Sequence, residues 1–139
     1  MLKLVVIEDE FRTRETIINI IKIECPEIDV VGSGSDVESG INVINTFQPD
    51  IILIDVQLSD GNAFDILKNS AVHNSQVIFV TAHEEYALQA IKFSAFDYIL
   101  KPFSKAELTG AIMRAREAVL ERASDVSIKT LLIFYFLYS

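Results

Sequence analysis

The sequence predicts one α/β domain with a parallel sheet of five strands and helices on both of its faces. Short apolar runs without polar alternation recur along the chain, and such runs are typical of strands that are buried on both faces. Each run is followed by a segment in which apolar residues recur at helical spacing. Five strands that alternate with five helices specify a parallel sheet joined by right-handed crossovers. With 139 residues, the chain has room for one such domain and a short appendage.

The predicted strands end where the chain turns polar or rich in glycine. The central strand is the clearest, since its four aliphatic residues, Ile51–Ile54, lie between Pro49-Asp50 and the carboxylate of Asp55. An unbroken apolar run of this length indicates a strand with no face in water. The five predicted strands are residues 3–7, 28–31, 51–54, 76–80 and 97–100.

The predicted helices fill the segments between these strands and follow the last one. Two of them are expected to begin with a capping box, formed by Ser35 with Glu38 and by Ser104 with Glu107. The apolar residues expected to face inward in the fourth helix are Ala87, Leu88, Ala90 and Ile91. The helices cover residues 11–25, 36–47, a segment around 64–67, 84–94 and 104 to about 120.

Composition excludes several classes of protein. A formal net charge of −8 argues against unaided binding to nucleic acid, which relies on basic residues at the phosphates. The apolar stretch Leu4–Ile7 is too short for a signal-peptide core and is followed by acids, so we expect a cytoplasmic protein without a membrane segment. The single cysteine, Cys25, excludes an internal disulfide and a cysteine metal cluster, and we expect a buried, inert thiol.

Polar side chains follow four of the predicted strands. If the strands lie in the flavodoxin-like order 2-1-3-4-5, the first and third strands are neighbours, and ligands bind beyond the carboxyl ends of such strands. Those two ends carry Glu8, Asp9 and Asp55. The fourth strand then brings Thr81 to the same edge, and the fifth brings Lys101.

Three carboxylates at one edge favour a bound cation. Each close pair repels by about 4 kcal/mol at an effective dielectric constant of 20 unless the charge is cancelled. Mg²⁺ prefers oxygen ligands and is usually held by one or two carboxylates together with phosphate oxygens. The cluster lacks the His and Cys expected of a zinc site. The sequence therefore predicts a Mg²⁺ site, with Mn²⁺ as the alternative ion.

The same residues indicate phosphoryl transfer. Catalysis of that reaction consists mainly of positioning the reactants and neutralising charge on the phosphoryl oxygens. We expect Asp55 to attack phosphorus and become an acyl phosphate, while Thr81 and Lys101 hold its oxygens. Each residue also has an ordinary structural reading, as a loop acid, a strand end or a surface charge, but all of these readings together are much less favoured.

In this order, the residues resemble the receiver domain of two-component response regulators. The matching features are the acidic pair after the first strand, Asp55 after the third, Thr81-Ala82 after the fourth, and Tyr98 three residues before Lys101-Pro102. The resemblance covers about residues 2–120. Residues 79–98 are most similar to receivers of the LytR/AlgR type.

The resemblance implies a phosphoryl donor and a set of metal ligands. Asp55 would accept the phosphoryl group from a phosphohistidine on a sensor histidine kinase. The side chains of Asp9 and Asp55 and the backbone carbonyl of Gln57 would bind Mg²⁺. Glu8, where the family more often has aspartate, would contact the ion through water.

The resemblance also implies a conformational switch. Lys101, joined to Pro102 by a cis peptide bond, would pair with the phosphoryl group. Thr81 would turn toward that group, and Tyr98 would swing from an exposed to a buried position. Gln57 and His83 would tune the hydrolysis of the acyl phosphate.

The implied output is a change of surface on the fourth helix, fifth strand and fifth helix, with a homodimer through the fourth and fifth helices. Receivers of the LytR/AlgR type usually carry a DNA-binding domain of about a hundred residues behind the receiver. The residues that remain here are too few, so we expect no direct binding to nucleic acid. Turnover of an external substrate is not expected either.

Two alternatives compete with this interpretation. A phosphatase of the dehalogenase superfamily also uses an aspartate after a buried strand, but it would need a second aspartate where this chain has Gln57. A docking module that is never phosphorylated would not need the intact set of Asp9, Asp55, Thr81 and Lys101.

The sequence divides into a domain over residues 1–120 and a C-terminal tail over residues 121–139. The tail becomes apolar over residues 131–138, and its β-branched and aromatic content favours a strand. Eight apolar residues cannot span a bilayer, which needs about twenty. We interpret the tail as the remnant of a missing output domain, with packing against the domain or a partner as the alternative.

Overall fold

Five parallel strands form one sheet, and helices cover both of its faces, in a computed structural model that describes residues 1–72 and 74–138, with residues 125–128 and 138 described by backbone alone. The strands are β1 (Leu2–Ile7), β2 (Ile28–Gly34), β3 (Ile51–Ile54), β4 (Gln76–Thr81) and β5 (Asp97–Leu100). Their order across the sheet is β2-β1-β3-β4-β5, and all four pairings are parallel. The predicted fold class and strand order are therefore confirmed.

Five α-helices lie within the described residues. They are α1 (Phe11–Glu24), α2 (Val37–Phe47), α3 (Ala63–Lys68), α4 (Ala87–Lys92) and α5 (Lys105–Tyr138). One turn of 3₁₀ helix, Glu84–Tyr86, precedes α4. A two-residue antiparallel pair, Gln57–Leu58 with Gly61–Asn62, occupies the loop between β3 and α3. None of the described helices combines the length and the apolar content needed to cross a membrane.

The sheet separates two hydrophobic cores. On one face, α1 and the first half of α5 pack against residues such as Leu53 and Val80. On the other face, α2, α3 and α4 pack against Ile52, Ile54 and Phe79. Neighbouring strand residues point to opposite faces, so all four residues of β3 are buried by one core or the other. The prediction that this strand has no face in water is confirmed.

Glycine and side-chain caps determine how two helices dock and begin. A Cβ on Gly40 would lie 2.7 Å from Cδ1 of Ile66, so glycine lets α2 approach α3 without displacing that side chain. The predicted box of Ser104 with Glu107 is present at α5, since the Ser104 hydroxyl accepts from the Glu107 amide at 3.0 Å and the Ser104 amide donates to the Glu107 carboxylate at 3.4 Å.

The predicted box of Ser35 with Glu38 at α2 is wrong. The N-cap is Asp36, whose carboxylate accepts from the Ser39 amide at 2.8 Å. The Ser39 hydroxyl in turn accepts from the Asp36 amide at 3.1 Å. Because β2 continues to Gly34, the helix begins one residue later than predicted, and the box shifts with it.

Two further predictions about the helices are wrong. In α4 only Ala90 is buried, whereas Leu88 and Ile91 are 67% and 70% exposed. The first turn of this segment, Glu84–Tyr86, is also 3₁₀ rather than α. The apolar segment of the tail is also not a strand, because α5 runs unbroken to Tyr138. Ser139 lies outside the described residues.

Candidate functional site

The register of the sheet brings the predicted site residues to one edge. Ile7 of β1 lies opposite Ile54 of β3, so Glu8 and Asp55 both leave the sheet at the same level. On the other side of β3, Thr81 ends β4 opposite Leu100, the last residue of β5. Lys101 therefore leaves the sheet beside Thr81, and its amide donates to the Thr81 carbonyl at 2.8 Å.

Asp55 lies at the centre of this edge and is 92% buried. Its amide donates to the carbonyl of Ile7 at 3.0 Å, which fixes the backbone at the end of β3. Its Oδ2 accepts a hydrogen bond from the ammonium of Lys101 at 2.8 Å. Its other oxygen, Oδ1, is buried and has no hydrogen-bond partner among the described residues. A buried carboxylate oxygen without a partner is costly unless a ligand or ion completes it.

Lys101 joins two carboxylates. Besides Asp55, its ammonium contacts Oε1 of Glu8 in a close ion pair. Oε2 of Glu8 accepts from the Glu10 amide at 3.2 Å, and the Glu8 carbonyl accepts from the guanidinium of Arg14 at 2.6 Å. Glu8 is thus held in place through both its side chain and its backbone carbonyl.

Burial and hydrogen bonds at this edge shift the pKa values of Glu8 and Lys101. Burial raises the pKa of Glu8, and the hydrogen bond from Lys101 only partly offsets this. Burial also pulls down the pKa of Lys101, but its hydrogen bonds to Asp55 and Glu8 outweigh that effect, and the pKa lies above its ordinary value. The lysine is therefore a permanent positive charge beside Asp55.

Glu8, Asp9 and Asp55 form an acidic cluster that fits a divalent cation. One oxygen from each of the three side chains lies within 4.8 Å of the others. Asp9 is exposed, so one side of the cluster is open to solvent. The donors are all carboxylate oxygens, as a hard ion such as Mg²⁺ requires, and the unpartnered Oδ1 of Asp55 supplies a free lone pair.

Thr81 is the last residue of β4, and Tyr98 lies on the neighbouring strand β5, opposite Phe79. Thr81 is fully buried, and its hydroxyl accepts from the amide of His83 at 3.3 Å. The half-buried Tyr98 donates its hydroxyl to the carbonyl of the same His83. Burial of the ring raises the pKa of Tyr98. Both side chains that the resemblance assigns to a switch therefore bond to one short segment of backbone.

The two residues expected to tune hydrolysis lie in the loops after β3 and β4. The side-chain amide of Gln57 donates to the hydroxyl of Tyr86 at 3.1 Å. Nδ1 of His83 lies 3.3 Å from a carboxylate oxygen of Glu85. Tyr86 was not identified from the sequence, since no local pattern distinguishes it from the other aromatic residues. Only its distance of five residues from Thr81 hints that it reaches this edge.

The peptide bond between Lys101 and Pro102 is cis, as the resemblance implied. Cis bonds are nearly confined to proline, and they allow the chain to turn sharply. The turn follows directly after the lysine that contacts Asp55.

A family model described as the response regulator receiver domain matches residues 4–113. This span contains all of the site residues described above.

Curated relatives match nearly the whole chain. The sensory transduction protein LytT of Bacillus anthracis is 30% identical over 131 residues, which cover 93% of this chain and 52% of that protein. The transcriptional regulatory protein BtsR of Escherichia coli is 32% identical over 130 residues, which cover 92% of this chain and 53% of that protein. The chain thus spans about half the length of these relatives.

Solved structures share the fold. The receiver domain of AraT, a response regulator from Geobacillus stearothermophilus, has a TM-score of 0.79 at 23% identity, covering 88% of this chain and 98% of that chain. The response regulatory domain of mrkE from Klebsiella pneumoniae has a TM-score of 0.75 at 26% identity, covering 86% and 99%.

Proposed function

The chain belongs to the response regulator receiver family, and on that premise we propose that it accepts a phosphoryl group on Asp55 from a sensor histidine kinase. The observation that carries the proposal is the environment of this carboxylate. Asp55 is buried, one oxygen is 2.8 Å from the ammonium of Lys101, and the other has no partner among the described residues. A nucleophile with one free oxygen and a fixed neighbouring cation is suited to attack phosphorus.

In the proposed reaction, an oxygen of Asp55 forms a bond to phosphorus while the bond from phosphorus to the donor nitrogen breaks. The product is an acyl phosphate on Asp55. Lys101 already contacts the carboxylate, and its ammonium would form an ion pair with the phosphoryl oxygens once they are attached. Thr81, one strand away, would offer its hydroxyl to the same group. Phosphoryl transfer depends mainly on such positioning and neutralisation.

Glu8, Asp9 and Asp55 would hold Mg²⁺, or Mn²⁺ in its place, together with the backbone carbonyl of Gln57. The ion would supply positive charge that neutralises the developing charge on the phosphoryl oxygens. The other contacts to the phosphoryl group would come from Lys101 and Thr81.

Phosphorylation with a small donor tests this proposal. Incubation with acetyl phosphate and Mg²⁺ should add one phosphoryl group, measured by intact mass, and Asp55→Asn should accept none. Asp60→Asn is the matched control, because its carboxylate caps α2 by accepting from the Val37 amide at 2.8 Å and should leave labelling unchanged. Equal labelling of Asp55→Asn and the unmodified chain would refute the assignment.

The metal site has its own test. Asp9→Ala removes one of the three carboxylates and should weaken Mg²⁺ binding in a calorimetric titration. An unchanged affinity would remove Asp9 from the site.

The output proposed is a change of surface that promotes a homodimer through α4 and α5. Thr81 and Tyr98 both bond to His83, which lies four residues before Ala87, the first residue of α4, so a movement of either side chain would reach that helix. Leu88 and Ile91 on α4 are exposed and would lie in the interface. The net charge of −8 favours signalling through protein contacts rather than direct contact with nucleic acid.

Beryllofluoride, which mimics the phosphoryl group, tests this output. Light scattering should show a larger mass when it is added with Mg²⁺, and Ile91→Asp should abolish the increase. Ile23→Asp, on α1, is the control that should still dimerise, since Ile23 is 76% exposed and Ile91 is 70% exposed. If the molar mass remains that of a monomer in the presence of beryllofluoride, the proposed dimer is wrong.

A further inference from the structure

A hydrogen bond between two side chains bridges the loops on either side of the site. The side-chain amide of Gln57 donates to the phenolic oxygen of Tyr86 at 3.1 Å. Gln57 follows Asp55 by two residues, and Tyr86 follows Thr81 by five. Because β3 and β4 are neighbours, these two residues face each other across the gap beyond their strand ends.

The two ends of this bridge differ in how firmly they are held. The ring of Tyr86 lies 6.5 Å from the ring of Phe64 on α3 and 6.1 Å, edge-on, from the ring of His83. These contacts place the phenolic oxygen independently of Gln57. Gln57 is exposed, and an exposed glutamine side chain has several free rotations to lose. Tyr86 is thus the anchor, and Gln57 is the side chain that is held.

We infer that Tyr86 is a positioning residue, which holds the Gln57 side chain across the approach to Asp55 and slows hydrolysis of the acyl phosphate. The inference rests on the proposed function. In hydrolysis, the oxygen of a water molecule forms a bond to phosphorus while the bond from phosphorus to Asp55 breaks. The products are inorganic phosphate, which retains the protons of the water, and the free carboxylate. The attacking water must enter from solvent, and Gln57, two residues beyond Asp55, is exposed to that solvent.

The substitution Tyr86→Phe tests the bridge without removing the ring. It keeps the packing on Phe64 and His83 but deletes the oxygen that accepts from Gln57. The acyl phosphate should decay about two- to tenfold faster, the change in rate that corresponds to the net contribution of one hydrogen bond. The decay is measured on the labelled full chain after removal of acetyl phosphate.

A double-mutant cycle distinguishes a role through Gln57 from a general loosening of the loop. Gln57→Ala should also accelerate decay, and Tyr86→Phe should add nothing further in that background. Tyr135→Phe, on the exposed part of α5, is the matched control that should leave the lifetime unchanged. Decay that is unchanged or slower in Tyr86→Phe, or the same acceleration in both backgrounds, would overturn the inference.

A second measurement does not depend on phosphorylation. Nuclear magnetic resonance spectra of the unphosphorylated chain report on the bridge directly. The side-chain amide resonances of Gln57, assigned by their loss in Gln57→Ala, should shift in Tyr86→Phe. Resonances that do not move would show that the bridge is absent, whatever the decay rate. If the unmodified chain accepts no phosphoryl group at all, the proposed function fails and the inference falls with it, so the two failures are distinguishable.

Discussion

The two halves of α5 are both rich in apolar residues but lie in opposite surroundings. In the first half, Leu108, Ala111, Ile112 and Ala115 are completely buried against the sheet and α1. In the second half, the residues from Leu131 to Leu137 are all between 51% and 78% exposed. The helix continues regardless, because adding a residue to an existing helix avoids the cost of nucleation. Helix formation and burial are therefore separate properties in this chain.

The largest effect is expected for Ile112→Ala, in the buried half of α5. Removing a buried isoleucine side chain beyond Cβ leaves a cavity and should lower the free energy of unfolding by about 2–5 kcal/mol. Urea denaturation measures the change, with an unaltered slope showing that the unfolding remains comparable. A loss below about 1 kcal/mol would mean that the first half of α5 is not part of the core.

Removal of the exposed half should have a much smaller effect. A shortened chain that ends at Ser124 keeps the contact between Arg122 and the Asn74 carbonyl, 3.2 Å long, but loses the apolar segment. Its free energy of unfolding should change by no more than about 1 kcal/mol, because surface segments contribute little. Labelling by acetyl phosphate should persist. Unfolding of the shortened chain would show that the tail belongs to the domain.

The smallest expected effect is that of Ile133→Ala, the same substitution in the exposed half. Ile133 is 57% exposed, so the change should stay within about 0.5 kcal/mol. Alanine also has the higher helix propensity, which further limits the loss. Ile112→Ala and Ile133→Ala remove the same atoms, so the difference between their effects on the free energy of unfolding measures the effect of burial. Losses of equal size at the two positions would contradict the contrast between the halves.

Much of the fold could be predicted because the strands are unusually apolar. The run Ile51–Ile54 has one interpretation, and the acids and the lysine at the strand ends follow from the parallel sheet. The positions of Glu8, Asp55 and Lys101 at one edge are accordingly as expected, and the contacts of Lys101 show it. Their roles in phosphoryl transfer stay predictions.

The errors arise where a local pattern allows two outcomes. The tail was expected to form a strand because β-branched and aromatic residues are frequent in strands. That preference reflects fit to a sheet surface, and among the described residues no strand pairs with the tail. In α4, helical spacing indicated an apolar stripe but not which side of it meets the core, and Leu88 and Ile91 lie on the exposed side. The bond between Gln57 and Tyr86 joins residues 29 positions apart and leaves no trace in either local sequence.

Because α5 is long, a small tilt at its first turn produces a large displacement at its far end. Its 34 residues extend about 51 Å at 1.5 Å per residue. A tilt of about 5° at its first turn would displace the far end by about 4 Å, enough to resolve between a pair of spin labels. The end of this rod is thus the place to attach a reporter, because a movement too small to measure beside Lys101 would be magnified there.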